Sequence, residues 1–116
     1  MSTQGKDVYN ALRYITPCVM LFVMIRNFKC EQTELIWNGL ATRKLPHTMQ
    51  AVARRKLRMI NNSTLLNDLR VPPANRLEKL KGKRAGQYSI RINDQWRICF
   101  VWENGDALNV EIVDYH

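Results

Sequence analysis

The sequence stops on Asp114, Tyr115 and His116, three side chains that handle protons, after a segment crowded with Lys and Arg. Side chains of these types take a proton from a hydroxyl, return one to a leaving oxygen and neutralise a phosphoryl charge. Together they suit cleavage of a phosphodiester without a metal or cofactor. Imidazole titrates near pH ~6.5 in its unperturbed state, so His116 takes the acid or base role. Asp114 would orient or charge-tune His116 or Tyr115. In a regular strand residues 114 and 116 share a face and Tyr115 points away, so gathering all three in one site requires the chain end to bend. Arg97 is the best transition-state clamp, because its guanidinium stays charged and presents a fork to phosphate oxygens.

Other cations read as supporting charge. Lys81, Lys83 and Arg84 lie beside Gly82 and Gly86, where glycine lets backbone approach a polyanion, with a solvated basic loop as the alternative. Arg76, Lys79 and Arg91 are placed to attract RNA, as are Arg54, Arg55 and Arg58 in an earlier helix. His47, just after Pro46, reads as a surface residue at a helix start.

The elements that position these groups follow from periodicity. Thr33 to Ala41 suits a short helix with Leu35, Ile36 and Leu40 inward, ending near Gly39. Pro46 suits the first turn of a second helix, in which Met49, Val52, Ala53, Leu57 and Ile60 recur at helical spacing and Arg54, Arg55, Lys56 and Arg58 occupy the other faces. Met49 and Met59 read as packing. Ser63 to Arg70 suits one more short turn before Val71-Pro72-Pro73-Ala74-Asn75 forces an extended loop. From Arg76 the period becomes two, giving strands over Arg76 to Leu80, Gln87 to Ile92, Trp96 to Trp102 and Leu108 to Val113. Asn93-Asp94 and Asn104-Gly105 are hairpin turns. The third strand places Trp96, Ile98, Phe100 and Trp102 on one face and Arg97, Cys99 and Val101 on the other; the fourth alternates Leu108, Val110 and Ile112 with polar neighbours. The predicted fold is α+β, two N-terminal helices packed on a small antiparallel sheet.

Length and composition agree with one small domain. The chain has 116 residues, 46% hydrophobic and 24% charged, with a net charge of +8, too apolar for a disordered polyelectrolyte. The charge is uneven: Arg43 to Arg97 holds fourteen Lys or Arg against three acids, a net +11, while Ile98 to His116 holds four acids and no Lys or Arg. Such a basic stretch draws in polyanions, so RNA, DNA or a ribonucleoprotein is the expected partner, with solubility charge or an acidic protein partner as alternatives. Three cysteines, Cys18, Cys30 and Cys99, without C-x-x-C spacing suggest neither a disulfide framework nor a zinc site and fit a cytoplasmic protein. Cys99 reads as a small core residue.

The first 23 residues pose a separate question. Tyr14 to Ile25 is an apolar run broken by Thr16 and Pro17 and too short to span a membrane, which takes about 20 residues. A secretory signal lacks its cleavage site here. The favoured reading takes Met24 as the natural start, residues 1–23 as an extension, and residues 24–116 as the domain, opening on a strand at Met24-Ile25-Arg26-Asn27-Phe28.

Several stretches resemble the HigB branch of the RelE/ParE superfamily of bacterial toxins from toxin-antitoxin modules. They are the MIRNF opening, the basic second helix, RLEKLKGKRAGQYSIRINDQWRICFVW with its L-K-G and N-x-x-W-R-I elements, and the terminal EIVDYH. The resemblance implies a microbial-RNase-like fold, binding in the ribosomal A site and cleavage of the mRNA there. It also implies a HigA-like helix-turn-helix antitoxin, with operator DNA bound only through the toxin–antitoxin complex. On the family pattern Asp114, Tyr115 and His116 act with Lys81 and Arg97. A further family histidine, two residues before the Leu of the L-K-G element, is Glu78 here, either a replacement base or a surface carboxylate. Two other functions fit the same fold or charge: a ParE-like gyrase inhibitor, and a basic module that binds RNA or ribosomes without chemistry.

Overall fold

The computed structural model describes residues 25–115. Residues 1–24, which include the stretch expected to be an extension, and His116 lie outside the described residues.

Helix α1, Glu31–Trp37, carries Glu31 and Glu34 in its first turn, where carboxylates complement the helix dipole. It ends before the expected Ala41. Gly39 adopts φ 84, which takes the chain off the helical path, and Leu40, expected inside, is 54% exposed. Ile36 is buried as expected, and Thr33 joins it in the buried stripe. Thr33 is a buried polar residue with a partner: its hydroxyl accepts the Ile112 N–H at 2.9 Å, pinning α1 to the last strand.

Helix α2, His47–Asn62, starts one residue after Pro46, which stands at the cap position and not within the first turn. Met49, Ala53, Leu57 and Ile60 are buried at the expected helical spacing. Two polar residues are buried beside them. Gln50 closes the α1–α2 connection by donating to the carbonyls of Thr42 (2.7 Å) and Leu45 (2.9 Å). Lys56, expected on an exposed face, is only 5% exposed. Position 56 is next to Leu57 on the helix and turns under the loop that follows, so helical spacing alone misassigned it.

After the 3₁₀ turns Leu66–Arg70 and Pro73–Asn75 comes an antiparallel sheet in the order β1-β2-β3-β4. Its strands are β1 Glu78–Lys79, β2 Gln87–Arg91, β3 Trp96–Glu103 and β4 Asp106–Asp114. β1 is shorter than predicted because Arg76 sits in the left-handed region at φ 46 and keeps the preceding turn out of the ladder. Asn104 (φ 53) and Gly105 (φ 84) make the expected two-residue hairpin turn. The Asn93-Asp94 connection is wider, with Asn93 Oδ1 accepting the N–H groups of Gln95 and Trp96, each at 2.9 Å. Asn109 (φ 53) bulges β4, and the pairing shifts between Cys99 and Val101. Ala107 therefore turns inward in place of Leu108, while Val110 and Ile112 are buried as predicted.

Both helices lie on one face of the sheet, over Ile90, Ile98, Phe100, Val110 and Ile112, and the core fills the space between. Ile25 and Phe28 form isolated parallel bridges to Ala107 and Val110, covering the β4 edge without the full strand expected there. The architecture is the predicted α+β arrangement. Among the described residues no helix is long and apolar enough to cross a membrane.

Candidate active site

The candidate site lies on the sheet face away from the helices. Register aligns Glu78, Ser89, Cys99 and Glu111 in one row across the four strands and Arg91, Arg97 and Val113 in the next. Arg97 is 7% exposed, far more buried than a surface cation. Its guanidinium is held along one edge: Nε donates to Ser89 Oγ at 2.7 Å, and Nη2 donates to the carbonyls of Arg76 (2.5 Å) and Ser89 (3.3 Å). Glu78 Oε1 lies 3.7 Å from Nη2. Among the described residues Nη1 has no hydrogen-bond partner, so its two N–H groups remain for a ligand. The Tyr115 ring faces the same guanidinium at 5.7 Å, close enough for a cation–π contact.

These groups line a cleft of about 280 Å³ made by Arg76, Glu78, Arg91, Asn93, Asp94, Arg97 and Tyr115. Arg91 pairs with Asp94 at its rim. Three arginines against two carboxylates leave the cleft cationic. A carboxylate base candidate beside a fixed guanidinium is the pairing that transfer at a phosphoryl centre needs. A larger depression of about 740 Å³, between α1 and α2, is lined by Ala41 to His47 and contains no predicted catalytic residue.

Of the predicted catalytic residues, the fold thus gathers Arg97, Glu78 and Tyr115. Asp114 is opposite Trp96 in the ladder, and its carboxylate accepts from Gln95 Nε2 at 3.1 Å. Among the described residues Tyr115, not Asp114, therefore brings the end of β4 to the Arg97 face; its N–H donates to the Gln95 carbonyl at 2.6 Å. His116 lies outside the described residues. Lys81 is exposed where the chain enters the 3₁₀ turn Gly82–Arg84 and does not line the cleft.

The supporting cations divide in the same way. Arg76 and Arg91 line the cleft. Lys79 is opposite Tyr88, in the row that belongs to the other sheet face. Lys83 is exposed, whereas Arg84 is engaged with Glu111 at 3.1 Å. Arg54 braces α1 by donating to the Ile36 carbonyl at 2.8 Å, and Arg55 and Arg58 are exposed. Cys99 is fully buried on the cationic face and not in the hydrophobic cluster. Burial pushes its thiol up in pKa, which disfavours the nucleophilic thiolate.

Sequence reasoning missed Ser89, the main anchor of Arg97. The signal was available: Ser89 alternates with the buried Ile90, and hairpin register places it on the face of Arg97.

Comparison with known proteins adds the family. Over 67 residues, 58% of this chain, it is 46% identical to an uncharacterized protein of Haemophilus influenzae and 42% identical to Toxin HigB-1 of Vibrio cholerae. Those matches span 66% and 70% of the two relatives' own lengths. It is also 32% identical over 93 residues, 80% of this chain and 100% of the relative, to Endoribonuclease HigB of Proteus vulgaris. The fold is similar to that in the YoeB-YefM complex from Staphylococcus aureus, with a TM-score of 0.52 and 21% identity over 81% of this chain and 97% of that one. Residues 26–116 match the sequence model of the HigB-like toxins, described as the RelE-like toxin of the type II toxin-antitoxin system HigB, and the chain belongs to that family.

Proposed function

We propose that this protein is the toxin of a type II toxin-antitoxin module and acts as a metal-independent endoribonuclease on mRNA held by the ribosome. A HigA-like helix-turn-helix antitoxin neutralises it, and operator DNA is bound only through that complex. Family membership and the activity named for the Proteus vulgaris relative support this reading. The observation that carries it is the buried Arg97, fixed along one edge by Ser89 and Arg76 and flanked by Glu78 and Tyr115.

In this mechanism Glu78 accepts the proton of the ribose 2′-hydroxyl, and the 2′-oxygen attacks the adjacent phosphorus. The Nη1 edge of Arg97 meets the non-bridging oxygens as charge develops on the phosphorane. The bond to the 5′-oxygen breaks, and His116 supplies that oxygen with a proton. The products are a 2′,3′-cyclic phosphate and a 5′-hydroxyl. Tyr115 packs the guanidinium and the RNA, Asp114 orients His116, and Lys81 with the cations beyond the cleft guides the strand.

Arg97→Gln tests the assignment. Cleavage of mRNA on translating ribosomes should fall by about 10²- to 10³-fold, with the folded state and antitoxin binding retained. Undiminished cleavage in this variant rejects the site. Growth arrest by the wild-type protein with unchanged mRNA ends rejects the nuclease and favours gyrase inhibition or binding without chemistry.

A further inference from the structure

Lys56 and Asn75 are buried, polar and unused by the mechanism above. Lys56 Nζ donates to Asn75 Oδ1, and Asn75 is itself fully buried. Asn75 donates through Nδ2 to the carbonyls of Leu69 (3.2 Å) and Val71 (3.4 Å), and its own N–H donates to the Pro72 carbonyl at 3.0 Å. One side chain thereby ties together both ends of the loop that runs from the Leu66–Arg70 turn into the Pro73–Asn75 turn. The next residue is Arg76, left-handed at φ 46, and its carbonyl is where Arg97 Nη2 lands at 2.5 Å. Arg76 follows Asn75 directly, so this carbonyl projects from the end of the turn that Asn75 and Lys56 hold together.

We infer that Lys56, through Asn75 and the Arg76 carbonyl, is a positioning residue that fixes the guanidinium of Arg97 in the cleft.

The burial of Lys56 supports this. Its pKa is lowered by loss of solvent first, and then by the positive charges of Arg55 and Arg91. A lysine kept where burial and two neighbouring cations disfavour its charge is a poor contributor to stability, since near-isosteric apolar residues replace such groups at little cost.

The inference rests on the reading of Arg97 as the phosphate clamp, and the experiment separates the two. Lys56→Met, Arg97→Gln and the double variant are compared for cleavage of mRNA on translating ribosomes, with folding followed by thermal unfolding. Lys56→Met should lower kcat on the order of 10- to 100-fold with little change in KM, as misplacement of a reacting group does. In the Arg97→Gln background the same substitution should change kcat by less than about twofold, because its effect passes through the residue already removed. The Arg97 Nε–H resonance should shift in Lys56→Met, reporting the guanidinium directly.

Undiminished activity in Arg97→Gln overturns the reading of the cleft and this inference with it. A large loss in Arg97→Gln beside an unaffected Lys56→Met, or equal losses in both backgrounds, overturns the inference alone. Should Lys56→Met fail to fold, Asn75→Asp takes its place. That change keeps a partner for Lys56 but sets a carboxylate against the Leu69 and Val71 carbonyls, and it should give the same selective loss in kcat; an unchanged kcat is equally fatal.

Discussion

At the residue scale, Glu78 decides how this chain differs from its family pattern. It stands where the resemblance implies a histidine, and its carboxylate lies 3.7 Å from the Arg97 guanidinium, on the face that also carries Tyr115. If Glu78 removes the 2′-hydroxyl proton, Glu78→Gln removes the base and should slow cleavage by about 10²- to 10⁴-fold. Glu78→His should retain a base and much of the rate. Imidazole titrates about two units above a model carboxyl, so the acidic limb of the Glu78→His pH–rate profile should move upward. Single-turnover cleavage across pH checks both variants, and a Glu78→Gln protein as fast as wild type removes Glu78 from the chemistry. That Arg97 faces away from the helices was legible from strand alternation, and position 78 stood out because it departs from the family pattern. Lys56 was not legible, because one lysine among Arg54, Arg55 and Arg58 looks like another solvated helix cation until the loop above it is folded.

At the scale of elements, turns hold the strands that carry the site in register. The β3–β4 hairpin depends on Asn104 and Gly105, both at positive φ. Its register carries Arg97 opposite Val113, and so brings Tyr115 to the guanidinium. A Cβ on Gly105 would meet only the Thr64 carbonyl at 3.7 Å, an ordinary contact, so the cost of Gly105→Ala is in the backbone. We expect about 1 kcal/mol of destabilisation, with cleavage at 25 °C unchanged. Denaturant unfolding measures it, and a cost below a few tenths of a kcal/mol would show that the turn adapts without strain. This hairpin was readable from Asn104-Gly105 alone. The β4 bulge was not, because Asn109 is an ordinary polar residue in the strand pattern, and its φ of 53 reverses the alternation before it. That reversal turns Ala107 into the core and leaves Leu108 only half-buried, against a strict alternation.

At the scale of the whole molecule, the charge gradient along the sequence becomes a surface. The basic half folds into α2, the loop after it and the first two strands; the acidic stretch forms much of β3 and β4, where Glu111 engages Arg84 at 3.1 Å and Lys29 at 4.0 Å. Exposed Arg55 and Arg58 on α2 are then left to face a polyanion. Contacts of this kind hold phosphates without taking part in bond breaking, so their loss should appear in binding and not in turnover. Arg55→Ala and Arg58→Ala should each weaken binding to single-stranded RNA and flatten the plot of log K against log salt by about 0.7, the value for one neutralised phosphate on a single strand. At saturating substrate kcat should remain near wild type. Fluorescence anisotropy with a labelled RNA across a salt series gives the slope directly. A slope identical to wild type in both variants would confine RNA contact to the cleft and leave the charge on α2 as a device for solubility or for holding an acidic partner.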